Sequence, residues 1–217
     1  MMSAPTEEAG LSLAEQAYHA ICDRLVMLRI NPGAPINDER LARELGLGRT
    51  PVREALKRLE LERLVVAFPR RGTFATEVHI SDLRHISEVR AALEPLAAAD
   101  AAQRAGAADA LIFERLLEEL PAAARTDHRD LIRLDTRVHR AVYAAAYNPY
   151  LTATLLQYGN LATRIWCLFV DRLPGLAGHV AEHEALLRAV LNGDGDTAAE
   201  LSARHVADFE AAVRAVI

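Results

Sequence analysis

"GLGRTPVREALKRL", residues 46–59, decides how the rest of the chain is read. A Gly-bearing turn leads into a helix that starts at Thr50-Pro51, carries Arg49 and Arg53 around that start and adds Lys57 one turn later. Thr is a good N-cap, and Pro at the first helical position loses no needed N–H. The N-terminus of a helix offers free N–H groups and the positive end of a dipole, which together favour a phosphate. A buried helix has no use for three cations gathered there. A helix that points its start at phosphates and base edges does.

Upstream, Leu13, Ala17, Ile21, Leu25 and Leu28 recur at spacings of three and four, which predicts an amphipathic helix over 11–29. "INPGAP" breaks it, and "ERLAREL" predicts a short second helix capped by Asp38 and ended by Gly46. The third helix, from Thr50-Pro51, is expected to run to about Arg63. Two β-prone runs, Leu64–Phe68 and Thr73–Val78, then surround "PRRG" and predict a hairpin. Helix, short helix, turn, helix and hairpin make a winged helix-turn-helix over 11–77, after a flexible N-terminus of residues 1–10. Leu41, Leu45, Leu47, Val52 and Leu56 can pack the two short helices together, with small Ala42 at the crossing. Gly46 can take the left-handed conformation that the tight turn requires.

The net charge of −5 argues at first against a nucleic-acid partner. Its distribution points the other way. Residues 40–74 hold nine Lys/Arg against four Glu, whereas residues 79–217 hold fourteen Arg against nineteen Asp/Glu. A basic patch on an acidic chain is a better electrostatic signal than the total. Arg49, Thr50 and Arg53 are therefore expected at the major groove, where an arginine can bond bidentately to guanine. Lys57 shares a face with Arg53, and Arg70, Arg71 and Gly72 at the hairpin tip would lie against the flanking groove. The alternative is an ordinary charged helix with solvated arginines.

This stretch resembles the GntR family of bacterial transcription regulators. "LARELGLGRTPVREALKRLELERLVV" (41–66) and "RRGTFA" (70–75) carry the resemblance, which covers residues 11–76. The departures are Leu47-Gly48 for the usual Val-Ser and Glu62-Arg63 for the usual acidic residue and Gly.

From His79 onward the chain becomes Ala- and Leu-rich, with helices expected near 82–104, 108–124, 127–146, 149–172, 176–192 and 196–216. Asn148-Pro149 reads as a helix stop. About half of the residues are hydrophobic, enough for a sizeable core, yet no apolar run reaches the ~18 residues of a membrane span. "MMSAPTEEAG" lacks the regions of a signal peptide, and Cys22 and Cys167 match no metal or redox spacing. They read as reduced thiols in a cytoplasmic protein.

Four side chains of this half have metal-ligand chemistry at informative spacing. Asp135 and His139 are four apart, on one helical face, and His183 and His205 fall on the last two helices. An antiparallel bundle could bring all four to one interior point. Three imidazoles and a carboxylate suit a divalent ion, Zn²⁺ first, with Ni²⁺ or Mn²⁺ as alternatives. An Asp–His surface pair and core histidines are the plainer alternatives. His179–His183 competes at the same spacing, but His179 follows "LPGLAG" at the expected start of its helix. His19, His79, His85 and His128 have no partner pattern.

The second half is similar to the FCD ligand-binding domain of the FadR subfamily of GntR regulators. The resemblance rests on "EVRAALEPLAAADAA" (88–102), "DTRVHRAVYAAAYNPYL" (135–151) and "EHEALLRAVLNGDGDTAAELSARHV" (182–206). It implies that Asp135, His139, His183 and His205 are the family's metal ligands, in a sensor of small organic acids. Six expected helices resemble the shorter VanR-type variant. Arg90 matches the family's "R..LE" stretch, where its guanidinium could hold an effector carboxylate. An Arg90–Glu94 helix pair is the competing reading. Asn160 and Arg164 are weaker cavity candidates.

The expected protein is a homodimeric regulator on a palindromic operator of double-stranded DNA, controlled by a small carboxylate bound at the metal. Two rivals stand beside it. One is a metal-dependent enzyme with a DNA-binding module, which needs a general base. Glu182 and Glu184 flank His183, but neighbours on a helix diverge from a shared ligand face. The other is a regulator whose metal is purely structural.

Overall fold

The computed structural model describes residues 10–125, 127–173 and 175–217, so the flexible segment expected over 1–10 lies, Gly10 apart, outside the described residues. The described chain is mainly helical, and its contacts divide into two compact units that part between Val78 and His79.

The first unit runs α1 (Leu13–Val26), β1 (Pro35–Ile36), α2 (Asp38–Leu45), α3 (Arg49–Leu61), β2 (Val65–Phe68) and β3 (Gly72–Ala75). Ser12 caps α1 in a reciprocal box with Glu15, two orphan donors satisfied at once. Ala17, Ile21 and Leu25 of α1 are buried with Leu41 and Ala42 of α2 and Val52, Leu56 and Leu59 of α3. Asn37, not Asp38, caps α2, accepting a hydrogen bond from the Arg40 amide at 2.8 Å. Gly46 ends α2 in the left-handed region (φ +67°), and the amide of Leu47 reaches back to the carbonyl of Ala42. Extended Gly48, rather than Thr50, precedes α3, which makes Arg49 the first helical residue. Pro51 still falls in the first turn, where its missing N–H has no intrahelical partner.

The hairpin ends at Ala75, sooner than expected, and gains a third strand. β3 lies between β1 and β2, antiparallel to both, with Phe68 opposite Gly72 and Ile36 opposite Thr73.

The second unit comprises α4 (Asp82–Arg104), α5 (Ala107–Glu119), a 3-10 segment (Leu120–Arg125), α6 (His128–Ala145), α7 (Pro149–Phe169), α8 (Leu176–Ala181), α9 (His183–Leu191) and α10 (Gly195–Arg214). The stretch expected as one helix over 176–192 is interrupted at Glu182, so the described residues of this unit hold seven α-helices rather than six. α4 is central, packed against α6, α7, α9 and α10. Asp127, Asn148 and Asp194 cap α6, α7 and α10 through side-chain bonds to backbone amides, and Pro149 opens α7. Ala97, Tyr143, Ala146, Leu151 and Leu155 form a buried cluster where α4, α6 and α7 meet. No helix among the described residues is long and apolar enough to cross a membrane.

Candidate metal centre and candidate nucleic-acid interface

The bundle brings Asp135, His139, His183 and His205 together. One potential ligand atom from each lies within 4.8 Å of the others. Asp135 and His139 come from α6, one turn apart on the inward face, while α9 and α10 supply His183 and His205. Asp135, His183 and His205 are buried, and the His139 side chain is 12% exposed. Asp135 Oδ1 lies 2.8 Å from His183 Nε2 and 3.6 Å from His205 Nε2, and Asp135 Oδ2 lies 3.7 Å from His139 Nε2. Ligands at ~2.1 Å from one ion are separated by roughly 3.0–3.5 Å, so these spacings are close to those of a coordination shell. The three rings cross at 89°, 50° and 44°, which lets their in-plane lone pairs converge.

The electrostatics fit a cation. Burial works against the Asp135 carboxylate, yet the surrounding imidazoles hold its pKa well below the ordinary range. Burial pushes His139 down to about 3 and lowers His183, so both rings stand neutral, as ligands must. For His205 burial opposes charge, but the nearby carboxylates of Asp135 and Glu182 outweigh it and push the pKa up to about 9, so an ion bound there would displace a proton. His139 Nε2 is buried without a hydrogen-bond partner among the described residues. A buried acceptor left in that state is costly unless something fills the point it faces. The donor set and this orphaned nitrogen both fit a borderline divalent ion.

Arg90 and Glu94 of α4 form a buried ion pair beside the centre, Nε to Oε1 at 2.5 Å. The pair does not remove Arg90 from the site, since a cavity of about 20 Å³ is lined by Arg90, Arg140, Asn160, Trp166 and Phe209 together with Asp135, His139 and His205. One water needs ~10–15 Å³ on this scale, so the space admits one small polar group. Asn160 accepts a hydrogen bond from Arg140 at 3.2 Å, and Arg164 is buried but does not line the cavity. His179, expected from the sequence only at the start of its helix, lines the cavity from α8 and stacks on His205 at 3.9 Å. Its spacing to His183 is the signal that the sequence carries. Glu94 and Tyr143 also back the centre, 3.4 Å and 3.3 Å from His139 Nδ1.

In the first unit, Arg49, Thr50, Arg53 and Lys57 are all exposed on α3, and Arg70, Arg71 and Gly72 are exposed at the hairpin. Arg70 and Gly72 both have positive φ, +63° and +97°, which shapes the tight tip. Asp38 stands between two of these arginines, 3.4 Å from Arg49 and 3.9 Å from Arg53. Arg58 is turned away from them: its guanidinium lies 3.7 Å over the Tyr18 ring and pairs with Glu62.

Residues 13–75 match the model of bacterial regulatory proteins of the gntR family, and residues 85–208 match that of the FCD domain. The chain belongs to the GntR family, in its FCD-bearing branch. An uncharacterized HTH-type transcriptional regulator, YdhC, of Bacillus subtilis is 31% identical over 147 residues, 67% of this chain, which spans 65% of that relative's length. The HTH-type transcriptional repressor RspR of Escherichia coli is 23% identical over 203 residues, covering 93% of this chain and 89% of the relative. Among solved structures, E. coli McbR/YncC superposes with a TM-score of 0.81 at 25% identity, over 94% of this chain and 98% of that one. YdhC and RspR are named as a transcriptional regulator and a transcriptional repressor, and an E. coli McbR 28% identical over 183 residues is named as an HTH-type transcriptional regulator; none of the three is named as an enzyme.

Proposed function

We propose that this GntR/FCD protein is a cytoplasmic DNA-binding transcriptional regulator whose helical unit holds one divalent ion, Zn²⁺ in preference to Ni²⁺ or Mn²⁺, and through it a small carboxylate effector. The observation that carries the reading is the convergence of four buried ligand atoms beside a polar cavity that Arg90 also lines. When bound, such an ion supplies a Lewis-acidic anchor for an effector oxygen. Asp135 and the imidazoles of His139, His183 and His205 hold it, while Arg90 and Arg140 set the charge of the adjoining space. Homodimerisation through the helical unit would present two winged units to a palindromic operator. Arg49, Thr50, Arg53 and Lys57 would meet the major groove, with Arg70, Arg71 and Gly72 against the flanking groove. Effector binding alters operator affinity only as far as it favours one state of the dimer over the other.

The test joins the two halves. Gel shifts on a duplex enriched from a random pool by the wild-type protein should respond to small organic acids when the protein carries Zn²⁺. That response should be lost after chelation. Equal responses with and without metal would leave the ion structural, the second reading that a four-ligand protein site also suits.

A further inference from the structure

Glu182 precedes His183, and consecutive helical residues project about 100° apart. It cannot share the ion that His183 would hold. Its carboxylate nevertheless reaches the centre from behind: Oε2 lies 3.1 Å from His205 Nδ1 and 3.5 Å from His179 Nδ1. The opposite ring nitrogen of His205, Nε2, is the one that faces Asp135 at 3.6 Å. Glu182 is 46% exposed at the side chain whereas His205 is only 4% exposed, so this contact runs from the solvent edge to a buried ring.

His179, Glu182 and His205 also form a three-residue group of metal-ligating type. Its ring geometry argues against an ion there. The imidazoles of His179 and His205 are stacked, centroids 3.9 Å apart and planes only 20° from parallel. An ion at bonding distance must lie near the plane of each ring, and two stacked planes have no common point that close. What remains for Glu182 is the outer hydrogen bond.

We propose that Glu182 is a positioning residue of the metal centre: by accepting the Nδ1–H of His205 it fixes the ring so that Nε2 presents its lone pair to the ion. The inference rests on the metal reading above. A carboxylate behind a ligating imidazole fixes its tautomer and orientation and raises its basicity. Because the acceptor is charged, the bond is stronger than one to a neutral oxygen. His139 Nδ1 is backed by the Tyr143 hydroxyl at 3.3 Å and by the Glu94 carboxylate at 3.4 Å, whereas His183 Nδ1 has no hydrogen-bond partner among the described residues. Among the three ligating rings, Glu182 thus serves His205.

The test uses full-length protein. Zn²⁺ affinity is measured by competition with a chromophoric chelator, and the visible spectrum of the Co²⁺-loaded protein reports the geometry of the centre. Glu182→Ala should weaken Zn²⁺ binding about 10- to 100-fold and change the Co²⁺ spectrum. Glu182→Gln keeps an accepting oxygen and should recover part of that loss. Glu184→Ala, on the other side of His183 and paired with Arg188, should behave as wild type. Saturating Zn²⁺ should raise the melting temperature of Glu182→Ala less than that of wild type, each measured against its own metal-free form, which separates a role at the ion from a structural one. Unchanged Zn²⁺ affinity in Glu182→Ala, or an equal loss in Glu184→Ala, overturns the proposal while leaving the metal centre standing. A wild-type protein that takes up neither Zn²⁺ nor Co²⁺ overturns the centre itself, and this role with it.

Discussion

In the winged unit the side chains of Arg49 and Arg53 are 60% and 68% exposed, whereas in the helical unit those of Arg90, Asp135, His183 and His205 are all 6% exposed or less. The same chemistry of charge therefore works under two dielectric regimes. Exposed arginines act through water, are screened by salt, and gain most when a polyanion displaces its counterions. Buried groups are held by their neighbours, resist screening, and lose heavily when one partner is removed. The first arrangement suits reversible contact with a long charged polymer. The second suits a fixed point that recognises one ion.

The largest effect is expected at the metal ligands. His139→Ala and His183→Ala should each lose the ion, read as metal per chain after dialysis. Affinity of the wild type should also fall as pH drops below about 9, because a proton competes with the ion for His205. Full metal content in both variants would remove the distinction between the units. On the DNA side, Arg53→Ala and Arg49→Ala should each weaken binding to a selected duplex by about 1–3 kcal/mol if the side chain reads a base. Both side chains are exposed, so circular dichroism should show the fold intact. Raising salt should weaken DNA binding steeply and leave metal content unchanged.

A smaller effect is expected at Arg63, which lies in the left-handed region (φ +62°) just beyond α3. The amides of Arg63 and Leu64 bond back to the carbonyls of Glu60 and Leu59, the hydrogen-bond pattern in which glycine is preferred. Arg63→Gly should raise the stability of the winged unit by about 1 kcal/mol in urea unfolding, since only glycine enters this region without strain. A loss of stability would mean that the arginine side chain contributes more than its backbone strain removes.

The smallest effect belongs to Asp127, the N-cap of α6, whose pKa is lowered mainly by the hydrogen bond from the Asp130 amide. Its folded value lies below the ordinary 3.8, so its contribution is complete above that pH and lost as pH falls through the folded value. Asp127→Ala should therefore lower the melting temperature slightly at neutral pH, and the difference from wild type should shrink in acid. A difference that stays constant down to about pH 2 would exclude the cap as its source.

Much of this is legible in the sequence because it depends on local chemistry. The spacing of Leu13, Ala17, Ile21 and Leu25 marks α1, Gly46 marks the turn, and Asn148-Pro149 marks the boundary between α6 and α7. Asp135 and His139 can be paired because four residues make about one helical turn. β1 cannot be read, since Pro35–Ile36 sits in a Pro- and Gly-rich break and becomes a strand only by pairing with β3. The interruption at Glu182 spans one residue, whose backbone remains helical (φ −58°, ψ −27°), and periodicity cannot register it. Glu182 itself is discounted by a sound rule about shared ligands. The rule is silent on the far side of a ligand's ring, which only three-dimensional packing of α8 and α9 on α10 brings within reach. Arg90 is ambiguous for a similar reason: the ion pair with Glu94 and the cavity wall are compatible, and spacing presents them as alternatives.

Asp38 gives the winged unit a property that its count of positive charges does not convey. At the proposed DNA-binding face, an arriving phosphate would have to draw Arg49 or Arg53 away from a carboxylate already within 3.4 Å or 3.9 Å, one anion exchanged for another. A guanine edge offers two acceptors to a single guanidinium, so the same exchange ends with a bond to spare. On the proposed interface, random sequence would then be gripped less firmly than bare electrostatics dictates, and the protein would linger where the bases complete the exchange.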